Sequence, residues 1–476
     1  MNRFAYDLVV VGAGSGGYAA ARTARDLGAS VALVDHGPLG GLCILKGCMP
    51  SKTLIATSDL VREIQDGHEL SVRASHVEVD LPAVMARKRD VIKGFADYRI
   101  EGLSAFPLYE GRARFLSPRE VAVGDDVVLE GRSFVIATGS VVAPPMLEGL
   151  GETGSITSDE ALDRSEAPKS MIVLGGGYVG AELGQFYSRI GVKTTMLIRS
   201  NQLLTMEDGD VGAALTLYFR REGIAIETKT RLLRAFRRGD RKVVEYHQNG
   251  ETKEIEAEEI FNALGRVPNI EGLDLEKAGV EAHVMTGIGV GLDLRTSAPH
   301  VFAVGDVMGG YALVHIAIYQ GEIAARNAVL GERQEADYSL IDVHTTFTDP
   351  QVAIVGRTEK QLEAAGTPYL KASYLFSDLG KAIAINKTKG FVKMMAAPET
   401  GKILGAAIVG AQASDLIHEI IVGMHYGATV RDFLKIPHLH PTLAEILTYP
   451  PEEIVSQMDE APALTAAPTE MATATA

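Results

Sequence analysis

The chain of 476 residues contains no tryptophan and only two cysteines, Cys43 and Cys48. So few cysteines exclude a disulfide-stapled secreted scaffold and favour a reducing, cytoplasmic compartment. No apolar run reaches the roughly 18 residues that a membrane-spanning helix requires, because glycine and proline interrupt the longest candidate, 134–147. We therefore expect no membrane span, and the first residues predict a strand rather than a signal peptide.

Basic side chains are in the minority, since 46 Lys and Arg stand against 61 Asp and Glu and give a formal net charge of −15. Nucleic acids and anionic membranes attract basic surfaces, so neither is expected as the main partner. Hydrophobic residues make up 46% of the chain, enough at this length to bury several cores without a structural metal or disulfide.

A glycine-rich turn between a strand pattern and a helix pattern occurs twice. Apolar runs at 8–11 and 31–34 flank the first turn and its helix, and the same order recurs between 172 and 198. This duplication predicts two βαβ units. In such a unit the glycines permit the turn, admit a pyrophosphate and let the helix pack on the strand. They are Gly12, Gly14 and Gly17 in the first unit, and Gly175, Gly177 and Gly180 in the second.

The residue that closes each unit indicates which nucleotide it binds. Asp35 lies eighteen residues after Gly17, where a carboxylate can bind ribose hydroxyls, as in FAD or NAD. The corresponding residue after Gly180 is Ile198, and Arg199 follows it. A guanidinium without a carboxylate suits the 2′-phosphate of NADP. Arg199 as an ordinary surface charge stays an alternative, so the second nucleotide is NAD or NADP.

The cysteine pair is the main chemical signal of the sequence. Cys43 and Cys48 lie five residues apart, with no further cysteine or histidine nearby to complete a metal site. A crosslink over so short a loop stabilises a large protein little. We therefore interpret the pair as a redox-active disulfide, with Lys46 and Lys52 favouring the thiolate form.

The segment from Gly40 to Lys52 resembles the active-site segment of the class I flavoprotein disulfide reductases. Further blocks resemble this family in the same order, so the resemblance covers nearly the whole chain to about residue 455. They are 137–139, 265–269, 296–306 and 438–445.

The resemblance implies an α/β fold with two Rossmann-like domains and an α+β C-terminal dimerisation domain. The expected ranges are 1–145 for FAD, 146–270 for NAD(P), 271–337 for a central domain that completes the FAD site, 338–459 for the interface and 460–476 for a disordered tail.

The resemblance also assigns roles by position. Cys48 would lie next to the flavin and Cys43 would face the substrate, while Lys52 would lie near the flavin and pair with Glu182. Asp306 would bind the ribityl chain, and Ala113 would contact the adenine. The remaining expected cofactor contacts are Thr138, Gly139, Ser140, Gly265, Leu313, Val314 and His315.

His440 would be the acid/base, oriented by Glu445, with His438 as the competing candidate. A base is needed because a thiol with a pKa near 8.5 is mostly protonated at neutral pH, and an imidazole held by a carboxylate can exchange that proton. In the family this histidine reaches the disulfide of the other subunit, which implies a homodimer with shared sites.

The substrate is expected to be a thiol or disulfide, with the dihydrolipoamide dehydrogenases as the most similar branch and a lipoyl carrier protein as a candidate partner. Arg22 and Arg199 favour the alternative of a glutathione-reductase-like, NADPH-dependent enzyme. Leu45 and Lys46 replace an Asn-Val pair that is usual between the cysteines, which adds a positive charge there. A transhydrogenase-like flavoprotein and a non-catalytic flavoprotein are the remaining alternatives. No metal is expected.

Overall fold

The computed structural model describes residues 1–339 and 342–465. Its helices and strands, in chain order to residue 197, are β1 (Asn2–Val11), α1 (Ser15–Asp26), β2 (Val31–Asp35), α2 (Leu42–Lys46), α3 (Cys48–Asp66), α4 (Leu81–Leu103), β3 (Leu108–Glu110), β4 (Ala113–Ser117), β5 (Glu120–Val123), β6 (Val127–Ile136), β7 (Ser140–Val142), α5 (Ser158–Ala161), β8 (Ser170–Leu174), α6 (Tyr178–Arg189) and β9 (Lys193–Leu197).

The later elements are α7 (Gly209–Arg221), β10 (Ala225–Glu227), β11 (Arg231–Arg238), β12 (Arg241–Gln248), β13 (Glu251–Ala257), β14 (Glu259–Asn262), β15 (Arg266–Pro268), β16 (Ala282–His283), β17 (Gly287–Ile288), β18 (Val301–Ala303), α8 (Val314–Leu330), β19 (Val343–Thr346), β20 (Gln351–Gly356), α9 (Glu359–Ala364), β21 (Leu370–Leu375), α10 (Gly380–Ala384), β22 (Phe391–Ala396), β23 (Ile403–Gly410), α11 (Ala413–His425), α12 (Val430–Phe433) and α13 (Tyr449–Thr465). Among the described residues, the helices include none whose length and apolarity would suffice to cross a bilayer.

The chain forms two compact units. Unit 1 comprises residues 1–67, 73–201 and 223–337, and unit 2 comprises 68–72, 202–222 and the described residues from 338 onward. Residues 202–222, inside the range expected for the NAD(P) domain, thus belong to the same unit as the C-terminal region. The finer boundaries inside unit 1 stay a prediction.

The larger sheet of unit 1 has the strand order β3-β2-β1-β6-β5-β4, and β18 pairs with β6. Strands β1, β2, β6 and β18 run parallel, and their apolar runs are buried because parallel sheets are covered on both faces. The carboxyl ends of parallel strands meet at one edge, where α/β sheets bind ligands. The turns after Val11, Ile136 and Ala303 therefore share that edge.

A second parallel sheet in unit 1 has the order β10-β9-β8-β14. It repeats the strand–turn–helix–strand order of the first, as the duplication predicts. Strands β11, β12 and β13 form a separate antiparallel sheet, and β7 pairs with β15 between the two glycine-containing turns at 139 and 265.

Unit 2 is built on the antiparallel sheet β19-β20-β23-β22-β21. Helix α11 buries Ile417, Ile420 and Met424, whose spacing of three and four residues places them on one face. The predicted α+β character of this region is therefore present. The tail expected from residue 460 begins inside α13, which continues to Thr465, and 466–476 lies outside the described residues.

A buried lysine joins the 202–222 segment to the sheet within unit 2. The ammonium of Lys393 lies 2.9 Å from Asp208 Oδ2, 2.8 Å from Asp210 Oδ1 and 2.6 Å from Glu359 Oε1. These three carboxylates converge closely enough to suit a metal ion, yet the lysine already supplies the cation. Burial of a charge is tolerated when it is paired in this way.

Candidate active site

The two cysteines lie on consecutive helices of unit 1, a short one and a long one. Cys43 belongs to α2, Cys48 is the first residue of α3, and Gly47 separates the helices. Both thiols are free in this structure, and they share a hydrogen bond. The turn that the sequence predicts to be a redox centre therefore holds the two sulfurs in contact.

The two thiols differ in acidity. The hydrogen bond from Cys43 lowers the pKa of Cys48, burial raises it, and the ammonium of Lys52 lowers it, with the balance at about 7. The hydrogen bond to Cys48, together with burial, raises the pKa of Cys43. Cys48 is therefore the thiolate and Cys43 the donor of the reduced pair, and a thiolate is the reactive form of cysteine.

Lys52 and Glu182 meet although 130 residues separate them. Nζ of Lys52 donates to Oε2 of Glu182 at 2.8 Å and to Oε1 at 3.1 Å, and the carboxylate is buried. Lys52 lies one turn after Cys48 on α3, so the pair brings a positive charge to the thiolate. The structure thus makes the pairing that the resemblance implies.

The first glycine turn forms a narrow cradle. At Gly12, where φ is +102°, an added Cβ would lie 2.4 Å from the carbonyl oxygen of Ala137, and at Gly17 it would lie 1.9 Å from the carbonyl oxygen of Gly12. An added Cβ at Gly14 meets only the Cα of Gly41, at 3.9 Å, so the backbone there is open. Helix α1 starts at Ser15 without a side-chain cap, which leaves its amides for a phosphate.

A cavity of about 100 Å³ extends the cradle along the sheet edge. Asp35, Ala113 and Thr138 line it. The Asp35 carboxylate accepts hydrogen bonds from the amides of Ala13 (2.7 Å) and Gly37 (2.8 Å), which fix it at the end of β2 with lone pairs left for ribose hydroxyls. The residues present therefore fit the adenosine and pyrophosphate of FAD.

A hydrogen-bond chain holds Asp306 at the same edge. Ser140 Oγ donates to Asp306 Oδ2 at 2.7 Å, and Arg266 Nε donates to Ser140 Oγ at 3.0 Å. Burial lowers the pKa of Arg266, whereas Asp159 and Asp306 raise it. Thr138 is held separately, since its hydroxyl donates to the carbonyl of Asn269 at 2.7 Å.

Helix α8 completes the surroundings of the cradle. It begins at Val314, with Leu313 as its uncapped N-terminal neighbour and His315 exposed in the first turn. Its later turns pack against α1, since an added Cβ at Gly321 would lie 2.3 Å from the carbonyl oxygen of Gly16. The structure thus brings the 313–315 segment and the first glycine turn onto two helices in direct contact.

The second glycine turn repeats the first. An added Cβ at Gly175 would lie 2.5 Å from the carbonyl oxygen of Ala263, and at Gly180 it would lie 2.6 Å from the carbonyl oxygen of Gly175, whereas Gly177 has open space. Gly265, with φ of +126°, also faces open space. This turn therefore fits a second dinucleotide, as the sequence predicts for NAD or NADP.

Ile198 and Arg199 directly follow β9, the last strand of the second βαβ unit. Ile198 is buried, and its carbonyl accepts hydrogen bonds from the amide and the hydroxyl of Thr230. Arg199 is exposed, and within the described ranges its guanidinium has no hydrogen-bond or ion-pair partner. The position thus offers a free cation and no carboxylate.

His440 and Glu445 form a pair in unit 2. His440 Nδ1 lies 2.9 Å from Glu445 Oε1, and Glu445 Oε2 accepts the amide of Thr442 at 2.8 Å. This amide and the histidine lower the pKa of Glu445, which keeps the carboxylate charged. The His440 side chain is 80% exposed, so its other nitrogen is accessible.

The competing histidine, His438, is engaged elsewhere. Its Nε2 lies 2.7 Å from Glu419 Oε1 and its Nδ1 lies 3.0 Å from the carbonyl of Ile436. Both ring nitrogens therefore have partners, whereas only one nitrogen of His440 does among the described residues.

Three side chains of unit 1 were not identified from the sequence as candidate functional residues. Arg266 lies within the 265–269 segment but was given no role, Asp159 forms an ion pair with Lys46 at 2.8 Å, and Arg99 stacks on Tyr18 with 4.7 Å from Cζ to the ring centroid. The charge of Lys46 between the cysteines could have suggested an acidic partner, but no local pattern identifies which one.

The chain matches two family models. Residues 6–321 match the pyridine nucleotide-disulphide oxidoreductase family, and residues 343–450 match the dimerisation domain of the same family. The dimerisation domain supports assembly as a homodimer.

Similar proteins span almost the whole chain. The dihydrolipoyl dehydrogenase of Geobacillus stearothermophilus is 37% identical over 92% of this chain and 94% of its own. The leghemoglobin reductase of Glycine max is 34% identical over 92% of this chain and 86% of its own. The HOCl-induced flavoprotein disulfide reductase RclA of Escherichia coli, solved as a Cu(II) complex, has a TM-score of 0.83 at 25% identity and covers 96% of this chain and 100% of its own. The chain therefore belongs to the pyridine nucleotide-disulphide oxidoreductase family, whose enzymes bind FAD and NAD(P) and exchange electrons with dithiols and disulfides.

Proposed function

We propose that this enzyme oxidises a dihydrolipoyl dithiol and reduces NAD(P)+, through the Cys43–Cys48 pair. The observation that carries the proposal is the cysteine pair on α2 and α3, with Lys52 one turn after Cys48, where its ammonium lowers the pKa of Cys48. Supporting it, the similar proteins include dihydrolipoyl dehydrogenases that match 92% of the chain.

The thiol chemistry follows from the two sulfurs and a base. In the oxidised enzyme, the partner subunit's His440 takes a proton from the substrate dithiol, and the new thiolate attacks Cys43. The Cys43–Cys48 bond breaks and Cys48 leaves as a thiolate. The second substrate thiol then displaces Cys43, which takes up its proton, so a cyclic disulfide is released and the cysteine pair holds the electron pair.

The cofactors supply the route onward. The chemistry that FAD and NAD(P)+ would supply when bound is acceptance of the electron pair that the reduced cysteines hold. The chain's own contribution is position: Lys52 stabilises the Cys48 thiolate, Glu182 accepts the hydrogen bonds that hold Lys52, and the two glycine turns would hold the pyrophosphates. We assign Asp35, Ala113, Asp306 and 313–315 to FAD, and Gly265 with Arg199 to the nicotinamide nucleotide.

The alternative substrate is glutathione disulfide, reduced by NADPH. Purified enzyme is offered dihydrolipoamide with NAD+ or NADP+, and separately glutathione disulfide with NADH or NADPH. We expect turnover of dihydrolipoamide and its loss in Cys48→Ser. Turnover of glutathione disulfide alone would overturn the lipoyl proposal and leave the reductase alternative.

Cys48→Ser also separates the thiol route from hydride exchange between nucleotides. If the variant exchanged pyridine nucleotides at the full rate and the native enzyme used neither thiol substrate, the chain would be a transhydrogenase-like flavoprotein. A lipoyl carrier protein as partner and a cytoplasmic location stay predictions, the second resting on cysteine content alone.

A further inference from the structure

Lys46 links the segment between the two cysteines to a distant helix. It is the last residue of α2, two residues before Cys48. Its ammonium donates to Asp159 Oδ2 at 2.8 Å, although 113 residues separate the two in the chain. Asp159 lies in the first turn of α5. This ion pair and the Lys52–Glu182 pair therefore hold the redox segment on either side of Cys48.

The Asp159 end of this ion pair is fixed by its surroundings. Thr157 caps α5, and its hydroxyl accepts the amide of Asp159 at 3.2 Å. Ala161, at the end of α5, is fully buried, and its carbonyl accepts the hydroxyl of Tyr187 at 2.6 Å. Tyr187 belongs to α6 and is itself fully buried. Helix α5 is therefore anchored on α6 by contacts that do not involve Lys46.

The Asp159 carboxylate is only partly open to water. Its side chain is 27% exposed, against 48% for Lys46, and its Oδ1 is closed off from solvent without a hydrogen bond from the described residues. A carboxylate that loses hydration in this way needs a counter-charge, and salt screens partly buried pairs less than exposed ones. The ammonium of Lys46 therefore meets a carboxylate whose hydration is already reduced, which favours a persistent ion pair.

A tight fold of the chain at Gly47 transmits the position of Lys46 to both sulfurs. An added Cβ at Gly47 would lie 3.0 Å from the carbonyl oxygen of Leu42 and 3.2 Å from the Cα of Cys43, so the two helices approach closely there. Lys46 directly precedes Gly47, and Cys48 directly follows it. Because this connection has no slack, motion of Lys46 would change the separation of the two cysteines.

We propose that Lys46 and Asp159 are positioning residues, which keep the sulfurs of Cys43 and Cys48 at the separation from which their disulfide re-forms. Two reactive groups that are held close together act as if each were highly concentrated near the other, so a tether on the reduced segment favours the disulfide. The inference rests on the proposed function, from which it takes the redox role of the two cysteines. It assigns Lys46 to a contact within the chain and not to the substrate.

The experiment measures the equilibrium between the dithiol and disulfide forms of the cysteine pair. Holoenzyme is equilibrated at neutral pH with mixtures of dithiothreitol and its cyclic disulfide, free thiols are alkylated, and the peptide that carries both cysteines is analysed by mass spectrometry. In this exchange the Cys43–Cys48 bond breaks and both sulfurs gain a proton, while the two S–H groups of dithiothreitol lose theirs and form the ring disulfide. The ratio of the two forms therefore reports the relative stability of the cysteine disulfide.

Lys46→Gln and Asp159→Asn should each shift this equilibrium toward the dithiol by about two- to fivefold, which is what an ion pair of this exposure can supply. The double variant should shift it no further than either single change, because each already removes the interaction. Lys46→Arg keeps the cation and should stay near the native value.

Arg62→Gln is the matched control. Arg62 and Asp66 form an ion pair at 2.7 Å with a carboxylate that is 28% exposed, but both residues lie on α3, so this pair does not link α3 to another element. Its removal should leave the equilibrium unchanged. Shifts in opposite directions for Lys46→Gln and Asp159→Asn would mean that the two charges act on the thiolate through space. Shifts no larger than that of Arg62→Gln would mean that the pair positions nothing, and either result would overturn the inference.

The dithiothreitol equilibrium needs no physiological substrate, which separates this inference from the proposed function. If the enzyme oxidises no lipoyl dithiol but both single variants shift the equilibrium as expected, the proposed function fails and the positioning role stands. If dihydrolipoamide is oxidised and neither variant differs from the native enzyme, the positioning role alone fails.

Discussion

Nζ of Lys52 lies 2.8 Å from Oε2 of Glu182, and this contact joins the helix that begins at Cys48 to the helix that follows the second glycine turn. The lysine lowers the pKa of Cys48, and the carboxylate raises it. The ion pair therefore sets how much Cys48 thiolate is present at neutral pH. Its two residues come from different helices of unit 1, α3 and α6.

Substitutions in this pair should shift the Cys48 titration in opposite directions. Lys52→Gln removes the cation, so the pKa of Cys48 should rise by about one unit from its value near 7, and the thiolate fraction at pH 7 should fall. Glu182→Gln removes the opposing charge, so the pKa should fall. Alkylation of the reduced enzyme by iodoacetamide across pH 5–9 measures both. Shifts of the same sign in the two variants would contradict this account.

His440 should matter for thiol chemistry and not for electron flow from the nucleotide. His440→Gln is expected to lower dihydrolipoamide oxidation by roughly 10²–10⁴, the usual contribution of a positioned acid/base. NADH-driven reduction of ferricyanide bypasses the thiols and should persist. His438→Gln is the control, because Glu419 and the Ile436 carbonyl occupy that ring. A larger loss in the His438 variant would reassign the base.

Arg199 should set the choice between nucleotides. It is exposed at the end of β9 and follows Ile198, which has no hydroxyl acceptor. Arg199→Glu replaces the cation with a repelling carboxylate, so kcat/KM for NADP(H) relative to NAD(H) should fall by about tenfold or more. Steady-state kinetics with both nucleotides measures the ratio. An unchanged ratio would return Arg199 to an ordinary surface charge.

The FAD cradle should not accept a side chain at Gly41. This glycine has φ of +77°, and an added Cβ would lie 2.8 Å from the Cα of Gly14. Gly41→Ala is therefore expected to displace the pyrophosphate turn and lower the flavin content of the purified protein. Gly28→Ala is the matched control, since Gly28 has φ of +86° but open space around its Cβ. Equal flavin loss in both would mean that backbone strain alone is responsible.

His344 should make unit 2 less stable at alkaline pH. Burial lowers the pKa of His344, but hydrogen bonds with Asp342 and Glu207 outweigh this and raise it to about 9. A raised pKa means that the charged imidazole stabilises the fold below its unfolded value near 6.5, and that this stability disappears as the pH rises through about 9.

His344→Gln should therefore cost on the order of 1–3 kcal/mol at pH 6 and much less at pH 10. Thermal unfolding of the holoenzyme at both pH values measures the difference, with the exposed His76→Gln as control. The same loss at both pH values would show that the imidazole acts through packing rather than through its charge.

The sequence by itself determined the parts of this protein whose physics is local. Glycine at fixed spacing between a strand and a helix is needed wherever a backbone must turn and approach a phosphate, so both nucleotide units were recognisable. Two cysteines five residues apart, in a chain with no other cysteine, likewise indicate redox chemistry from local spacing alone. The predicted strands and helices around these motifs are present, although β1 already begins at Asn2, well before the apolar run at 8–11.

Only the tertiary structure decided which distant side chains meet. Lys393 is surrounded by carboxylates from 208, 210 and 359, and Arg99 stacks on Tyr18, with no hydrogen bond to its Nη1 from the described residues. Neither relationship has a sequence signature, because each depends on how helices and strands far apart in the chain pack together. Burial makes such pairing necessary, because a charge removed from water is costly unless a group of opposite charge or a hydrogen-bond acceptor lies next to it.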